Sequence, residues 1–143
     1  MNGSKYLIEG PVPPGYLTDL AAGRPEKTSS GAQSIFLGKV RDDKVDEKTV
    51  SGIEYSAYQE MVEPVVQSIK DELFKKYSDL SDVQIIHSTG LVKCGEISLA
   101  VMVTSGHRKQ SFAALAECVE LSKEKLPVWK KELFSDGTSR WIE

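Results

Sequence analysis

The stretch GEISLAVMVTSGHRKQSFAALAECVELSKEKLPVWKKELF (residues 95–134) predicts a strand, a helix and a second strand in that order. Its first part, up to residue 106, is predicted as a strand. Apolar residues then recur at three- and four-residue steps, which predicts a helix over 108–125. Pro127 ends that helix because its ring cannot continue the helical backbone, and PVWKKELF alternates as a strand does.

An upstream helix is predicted by the same spacing, because lysines and aspartates fall between its apolar residues. Pro64 is tolerated only near the start of a helix, so this one should begin near residues 58–61. Its recurring residues are Met61, Val62, Val65, Ile69, Leu73 and Tyr77. Between the helices, residues 82–90 and 95–106 are predicted strands, with LVKC (91–94) as their hairpin.

Two further strands are predicted before the upstream helix. The alternation in GAQSIFLGKV (31–40) indicates a strand buried on both faces, and VSGIEYSAY (50–58) is a second candidate. The polar stretch between them, residues 41–49, is interpreted as an exposed connection. From residue 31 the order is therefore strand, strand, helix, strand, strand, helix, strand. Its core is the β-α-β-β-α-β arrangement of ferredoxin-like α+β proteins.

The two ends of the chain are expected to add antiparallel strands to this core. KYLIEG (5–10) predicts a strand, a short helix is predicted to end at Gly23, and residues 24–30 are a loop by composition. At the other end, DGTS turns the chain toward RWIE. We expect one domain over 1–143, in which residues 1–30 are the least specific part.

Composition excludes several classes of function. The net charge of -3 over 143 residues does not attract nucleic acid or an anionic membrane. No apolar run approaches the ~18 residues of a membrane span, and no signal peptide is recognised. Cys94 and Cys118 form no CxxC and no metal-ligand spacing with His87 or His107. We therefore expect a cytoplasmic protein with reduced thiols and no metal site.

Lys123 is the first candidate for chemistry. It lies eleven residues after Phe112, within ~20° around a helix, so it would continue a buried stripe formed by Phe112, Leu115, Ala116 and Val119. Burial and neighbouring cations would lower the pKa of its amine and make it a nucleophile or base. The alternative is a lysine whose stem covers the edge of the core while its head reaches solvent.

The following strand adds two lysines, Lys130 and Lys131, which point to opposite faces. One of them must therefore face packed surface unless the strand lies at an open edge. At the other end of the helix, His107 and Arg108 stand at the first turn, where free N–H groups can bind an anion such as phosphate. A surface pair without a ligand explains them as well. Lys39 and Arg41 share one face at a strand end, which is weak evidence alone.

Four segments together resemble one known family: GAQSIFLGKVR, YSAYQEM, HSTGLVKCGEISLAVMVTSGHR and LSKEKLPVWKKELFSDGTSRW. They follow the order G-A-x-x-x-F-x-G-x-V-R, S-x-H-R and K-x-x-x-P-x-W-K-x-E of the large, catalytic subunit of molybdopterin synthase. The resemblance covers about residues 31–141, and the last pattern is highly specific. It implies the α/β hammerhead type of the predicted core.

The resemblance implies a sulfur transfer. In this family a small ubiquitin-like subunit inserts a C-terminal thiocarboxylate, and its sulfur passes to cyclic pyranopterin monophosphate to form the dithiolene of molybdopterin. No resident cofactor or metal is implied, and the large subunits form a homodimer within a heterotetramer. This chain ends in SRWIE rather than Gly-Gly, so the sulfur donor is expected to be another chain.

The family motifs carry over to named positions of this chain. Lys123 corresponds to the lysine beside the inserted tail, where it would orient the thiocarboxylate, and Lys130 corresponds to the second essential lysine, which we expect to do the acid/base work. The positions that correspond to substrate binding are Lys39, Val40, Arg41, His107, Arg108, Lys131 and Glu132.

The sequence departs from the family motif at one position, and an alternative function must also be considered. Ser88 and Thr89 follow His87 where relatives often carry an arginine, and Arg140 is a candidate to replace it. The rival is a non-enzymatic ferredoxin-like module that binds a phosphorylated metabolite. It would explain the cations at the helix start equally well, but it gives no reason for an inward Lys123. A nucleic-acid-binding domain is poorly supported by the acidic balance.

Overall fold

Three helices and eight strands form the part of the chain that the computed structural model describes, residues 5–22 and 28–142. The predicted α+β class is confirmed, and both ends of the chain add strands; the C-terminal strand is antiparallel as predicted, whereas the N-terminal strand is parallel to its neighbour, so its predicted direction was wrong. Of the predicted loop over 24–30, residues 24–27 lie outside the described part, as does the predicted helix end at Gly23. In chain order the elements are β1 (Leu7–Glu9), α1 (Pro14–Ala22), β2 (Ala32–Lys39), β3 (Lys44–Val45), β4 (Lys48–Ala57), α2 (Gln59–Lys76), β5 (Leu80–Lys93), β6 (Ile97–Ser105), α3 (Arg108–Lys125), β7 (Val128–Phe134) and β8 (Ser139–Ile142).

The strands form one sheet in the order β2-β6-β5-β4-β7-β8, with every neighbouring pair antiparallel. β1 lies parallel to β5, and β3 pairs with β4. β5 joins two halves of the sheet, because residues 80–87 pair with β6 whereas residues 90–93 pair with β4. Gly90 marks the change with a φ of +78. The predicted β-α-β-β-α-β core is thus β4-α2-β5-β6-α3-β7, in which β4 pairs directly with β5.

The main core lies between the sheet and the helices α2 and α3. Val66, Ile69 and Leu73 of α2 are at most 1% exposed and pack in one cluster with Ile85 and Val101 of the sheet. α1 covers the opposite face of the sheet, where a second cluster forms around Val12, Leu17, Ile86, Ile97 and Ala100. The helices thereby fix the sheet from both sides and leave the ends of β2, β4 and β7 open on the α3 side.

β2 is not buried on both faces, so this prediction was wrong. Ile35 is 39% exposed and Leu37 is 41% exposed, whereas Ser34 is buried against Ser111 of α3 with 2.6 Å between the two hydroxyl oxygens. β2 is an edge strand with only β6 beside it, and only its α3 face is covered. Alternation of apolar residues does not distinguish a covered strand from an edge strand.

Two predicted connections are strand instead. Residues 41–49 contain a hairpin between β3 and β4, whose turn residues Asp46 and Glu47 both have left-handed φ values, 52 and 66. Such values at two consecutive residues are typical of the tight turns that match the twist of paired strands. The predicted hairpin LVKC belongs to β5 up to Lys93, and the chain turns at residues 94–96, where Gly95 has a φ of +87.

Candidate active site

A cleft of about 370 Å³ lies where the end of β2 meets β4, β7 and the last turn of α3. At its entrance a bulge between Gly38 and Lys39 interrupts the pairing of β2 with β6. Gly38 lies close to the Phe36 ring, since a Cβ there would come within 3.1 Å of it. The predicted site residues that line this cleft are Lys39, Val40, Arg41, Lys123, Lys130 and Glu132.

Lys130 is the half-buried amine of this cleft. It lies opposite Tyr55 in the β4–β7 ladder and points to the inner face of β7. Burial lowers the pKa of Lys130 because it disfavours the charged amine, and the positive charge of Lys123 lowers it further, against a smaller opposing effect of Glu132. Burial and a neighbouring positive charge, which the sequence predicted for the Lys123 amine, are therefore found at Lys130.

Lys123 is exposed, so the predicted burial of its side chain was wrong. The face of α3 against the sheet is formed by small residues, and the bulky Phe112 is 63% exposed. The buried residues of α3 are Ser111, Ala114, Cys118, Val119, Leu121 and Ser122. Of the predicted stripe, Val119 is buried and Leu115 packs against the core, whereas Phe112 and Ala116 are exposed, so the prediction was wrong for these two. Small side chains on the covered face let the helix approach the sheet closely, and they carry little hydrophobic signal. The Lys123 side chain still lines the cleft beside Lys130.

Glu132 and Arg140 form an ion pair at the edge of the cleft. Arg140 donates from Nε to Oε1 of Glu132 at 2.8 Å, and the Glu132 side chain is only 12% exposed. Lys131 is directed away from this pair: its amine lies 3.7 Å from a carboxylate oxygen of Glu54 and 5.3 Å from the centre of the Trp141 ring. The structure thus brings Arg140 to the cleft through Glu132 and places Lys131 on the outer face of the sheet.

His107 and Arg108 lie at the opposite end of α3 from Lys123, and the helical rise from Arg108 to Lys123 is ~22 Å. They line a separate open hollow with Gly31, Lys109 and Phe112. The backbone N–H of His107 donates to Oδ2 of Asp79 at 2.7 Å. Asp79 therefore already provides a negative charge at this helix start. Within one chain, the predicted phosphate-binding pair and the lysine pair do not meet.

Sequence reasoning missed a small chamber of about 40 Å³ beside the cleft. It shares Tyr55, Ser98, Lys123 and Lys130 with the cleft, and it is closed by His87. His87 is 8% exposed, and the edge of its ring contacts the Tyr55 ring at 5.0 Å between centroids. The signal in the sequence is a histidine directly after the apolar residues Ile85 and Ile86 of a predicted strand.

Burial governs the protonation of the groups around this chamber. It lowers the pKa of His87 to about 4, and the charges of Lys130 and Lys123 act in the same direction, against a hydrogen bond to the Ser88 carbonyl. Burial also raises the pKa of the Tyr55 hydroxyl, which a hydrogen bond with Ser98 partly opposes. Both groups are therefore uncharged at neutral pH.

Neither cysteine belongs to the cleft. Burial raises the pKa of Cys118 to about 12, so little reactive thiolate is present at neutral pH, and Cys94 is half-buried with its thiol donating to the carbonyl of Val50. Across residues 5–22 and 28–142, no group of three or more His, Cys, Asp or Glu side chains could hold a metal ion. Over the same residues, no helix is long and apolar enough to cross a membrane.

The fold is that of solved molybdopterin synthase structures. An X-ray structure of molybdopterin synthase from Staphylococcus aureus superposes with a TM-score of 0.83 at 28% identity and covers 96% of both chains. A complex of subunits 1 and 2 of molybdopterin-converting factor from Helicobacter pylori shares the fold with a TM-score of 0.77 at 20% identity, over 96% of this chain and 88% of the other.

Sequence comparison gives the particular family. A family model described as "MoaE protein" matches residues 11–125. Molybdopterin synthase catalytic subunit 1 from Aedes aegypti is 38% identical over 131 residues, 90% of this chain and 81% of the relative. The catalytic subunit from Thermoplasma volcanium is 36% identical over 118 residues, 82% of this chain and 85% of the relative. The chain belongs to the MoaE family.

Proposed function

We propose that this chain is the catalytic, large subunit of molybdopterin synthase. It transfers sulfur from the C-terminal thiocarboxylate of a small ubiquitin-like subunit to cyclic pyranopterin monophosphate and forms the dithiolene of molybdopterin. The observation that carries the proposal is the cleft whose walls include Lys130, half-buried and with a lowered pKa, together with Lys123, Lys39 and Arg41. Membership of a family whose relatives are catalytic subunits of this enzyme supports it.

The cleft suits this reaction because the substrate and the donor are both anions. Replacing a C–O bond of the pterin by a C–S bond requires a proton for the leaving oxygen. An amine whose pKa is lowered by burial is a better acid than an exposed lysine, so we assign this step to Lys130. Lys123 is exposed at the cleft wall, where it can pair with an incoming thiocarboxylate and stabilise the oxyanion that forms on it.

The positions of His107 and Arg108 lead to a proposal about assembly. Since Arg108 lies ~22 Å from Lys123 along α3, His107 and Arg108 can bind the phosphate of the same substrate only if a second copy of the chain supplies them. We therefore propose a homodimer of large subunits, each with a small subunit, in which the lysines of one copy work with His107 and Arg108 of the other. The proposed reaction uses no resident metal or cofactor, and we place the single-domain protein in the cytoplasm.

The first experiment mixes the purified chain with a thiocarboxylated small subunit and the cyclic pterin precursor. Formation of dithiolene product supports the proposal, whereas precursor binding without sulfur incorporation supports a binding module. Lys130→Ala should abolish turnover and keep precursor affinity. Lys125→Ala is the matched control, because Lys125 is exposed and paired with Glu72 at 3.6 Å, away from the cleft.

The second experiment tests the shared site by complementation. Lys130→Ala and Arg108→Ala chains are unfolded together, refolded and assayed. In a mixed dimer one of the two sites then has both intact halves, so random pairing restores about one quarter of the wild-type activity. If the lysines and Arg108 act within one chain, no pairing restores an intact site and the mixture stays inactive.

A further inference from the structure

His87 is a buried polar side chain that the proposed reaction does not yet use. It lies in β5 opposite Leu99 of β6, and its ring closes the chamber behind the two lysines. The charged and titratable groups that line this chamber come from three other elements: Tyr55 from β4, Lys123 from α3 and Lys130 from β7. The buried imidazole therefore shares one chamber with two amines.

The hydrogen bonding of His87 defines its tautomer. Nδ1 lies 2.8 Å from the carbonyl oxygen of Ser88, and a carbonyl can only accept, so Nδ1 carries the proton. In the neutral ring the second nitrogen, Nε2, then has a free lone pair. The β5 backbone fixes this arrangement, since the N–H of His87 itself donates to the carbonyl of Tyr6 at 2.9 Å.

We propose that His87 is a positioning residue for Lys130: its Nε2 lone pair accepts a hydrogen bond from a water that in turn accepts one from the Lys130 amine, and this bridge directs the amine into the cleft. The chamber of about 40 Å³ that both side chains line has room for one such water. The role of this interaction in catalysis rests on the proposed function. The interaction between His87 and Lys130 itself can be tested without any assumption about function.

The test compares three substitutions of His87. His87→Gln places its amide oxygen near the position of Nε2 and keeps an acceptor. His87→Asn is the matched control, because its shorter side chain reaches only the position of Nδ1. His87→Phe keeps the ring volume and the contact with Tyr55 but has no acceptor. Each protein is labelled with 13C-lysine, and the Cε resonance of Lys130, assigned with Lys130→Arg, is titrated by NMR.

A hydrogen bond to the charged amine favours protonation, so its loss lowers the pKa of Lys130 further. We expect a decrease of about 1 pH unit in His87→Asn and His87→Phe and little change in His87→Gln. The same Lys130 titration in all three variants and the wild type would overturn the proposal. Circular dichroism identifies a variant that does not fold, and the comparison of Gln with Asn decides the question without the Phe variant.

Turnover of the three His87 variants is the second measurement, and it tests whether the positioning of Lys130 matters for catalysis. With the thiocarboxylated small subunit, kcat should fall about tenfold in His87→Asn and His87→Phe and stay near wild type in His87→Gln, while KM changes little. A purely structural role would lower the amount of folded protein in all three variants without separating Gln from Asn. If no protein turns over, the proposed function fails, and the titration of Lys130 still decides the role of His87.

Discussion

Replacing His87 by glutamine should make the protein more resistant to acid. Burial holds the pKa of this histidine at about 4 in the folded protein, compared with an ordinary value of 6.5. Between these two values the unfolded chain binds a proton that the folded chain does not, so the free energy of unfolding falls as the pH falls from 6.5 toward 4. His87→Gln has no group that titrates in this range and avoids the loss.

The size of the effect follows from the two pKa values. At 1.36 kcal/mol per pH unit, the difference between the two pKa values lowers the free energy of unfolding by about 3 kcal/mol in total. About 2 kcal/mol of this is already lost between pH 7 and pH 5. The side chains that face His87, namely Tyr55, Lys123 and Lys130, are present in both proteins. So is His107, whose side chain is 88% exposed. Their contributions therefore largely cancel in the comparison.

The assay is urea unfolding of both proteins at pH 7, 6 and 5, followed by tryptophan fluorescence. We expect the stability of His87→Gln relative to wild type to rise by about 2 kcal/mol from pH 7 to pH 5. A difference that stays constant within about 0.5 kcal/mol would show that His87 is solvated or charged in the folded protein. That result would remove the basis for a neutral imidazole behind the lysines.

Three further predictions concern other parts of the fold. Ala114→Leu should destabilise the protein by about 1–3 kcal/mol, because Ala114 is fully buried where α3 packs on the sheet. The control Ala116→Leu, on the exposed face of α3, should change stability by less than about 0.5 kcal/mol; thermal or urea unfolding measures both. Gly106→Ala should lower stability by about 1 kcal/mol, since a Cβ there would lie 2.5 Å from Oδ1 of Asp79, and the double variant with Asp79→Ala should recover part of that loss. Arg140→Ala should reduce turnover more than Lys131→Ala in the thiocarboxylate assay, because Arg140 holds the buried Glu132 of the cleft whereas Lys131 pairs with Glu54 on the outer face.

The sequence predicted the elements well because their signals are local. The bounds of α3, residues 108–125, follow from the spacing of its apolar residues and from Pro127, and both depend only on neighbouring positions. The covered face of α3 depends on its distance from the sheet, and the small residues that permit a close approach carry little hydrophobic signal. For the same reason Lys123 was expected to be buried when it is exposed.

The residues that line the cleft could be predicted from the sequence only where they belong to a family motif. Lys39, Arg41, Lys123 and Lys130 come from segments far apart in the chain, and their meeting in one cleft is a result of the sheet order. The chamber behind them could not be found from sequence, because the β4–β7 ladder places Tyr55 opposite Lys130 and the pairing of β5 with both β6 and β4 brings in His87. The distance between His107 and Lys130 likewise depends on the length of α3 rather than on any motif.

The shared strand β5 also determines how substrates enter. One wall of the cleft comes from β2 in one half of the sheet and the other from β7 in the other half, and a continuous hydrogen-bonded strand connects the two halves. Such a connection has no flexible linker about which the walls could swing apart. The cleft is therefore preorganised, and under the proposed function the donor peptide would reach the lysines as an extended tail between fixed walls rather than by closure of one lobe over another.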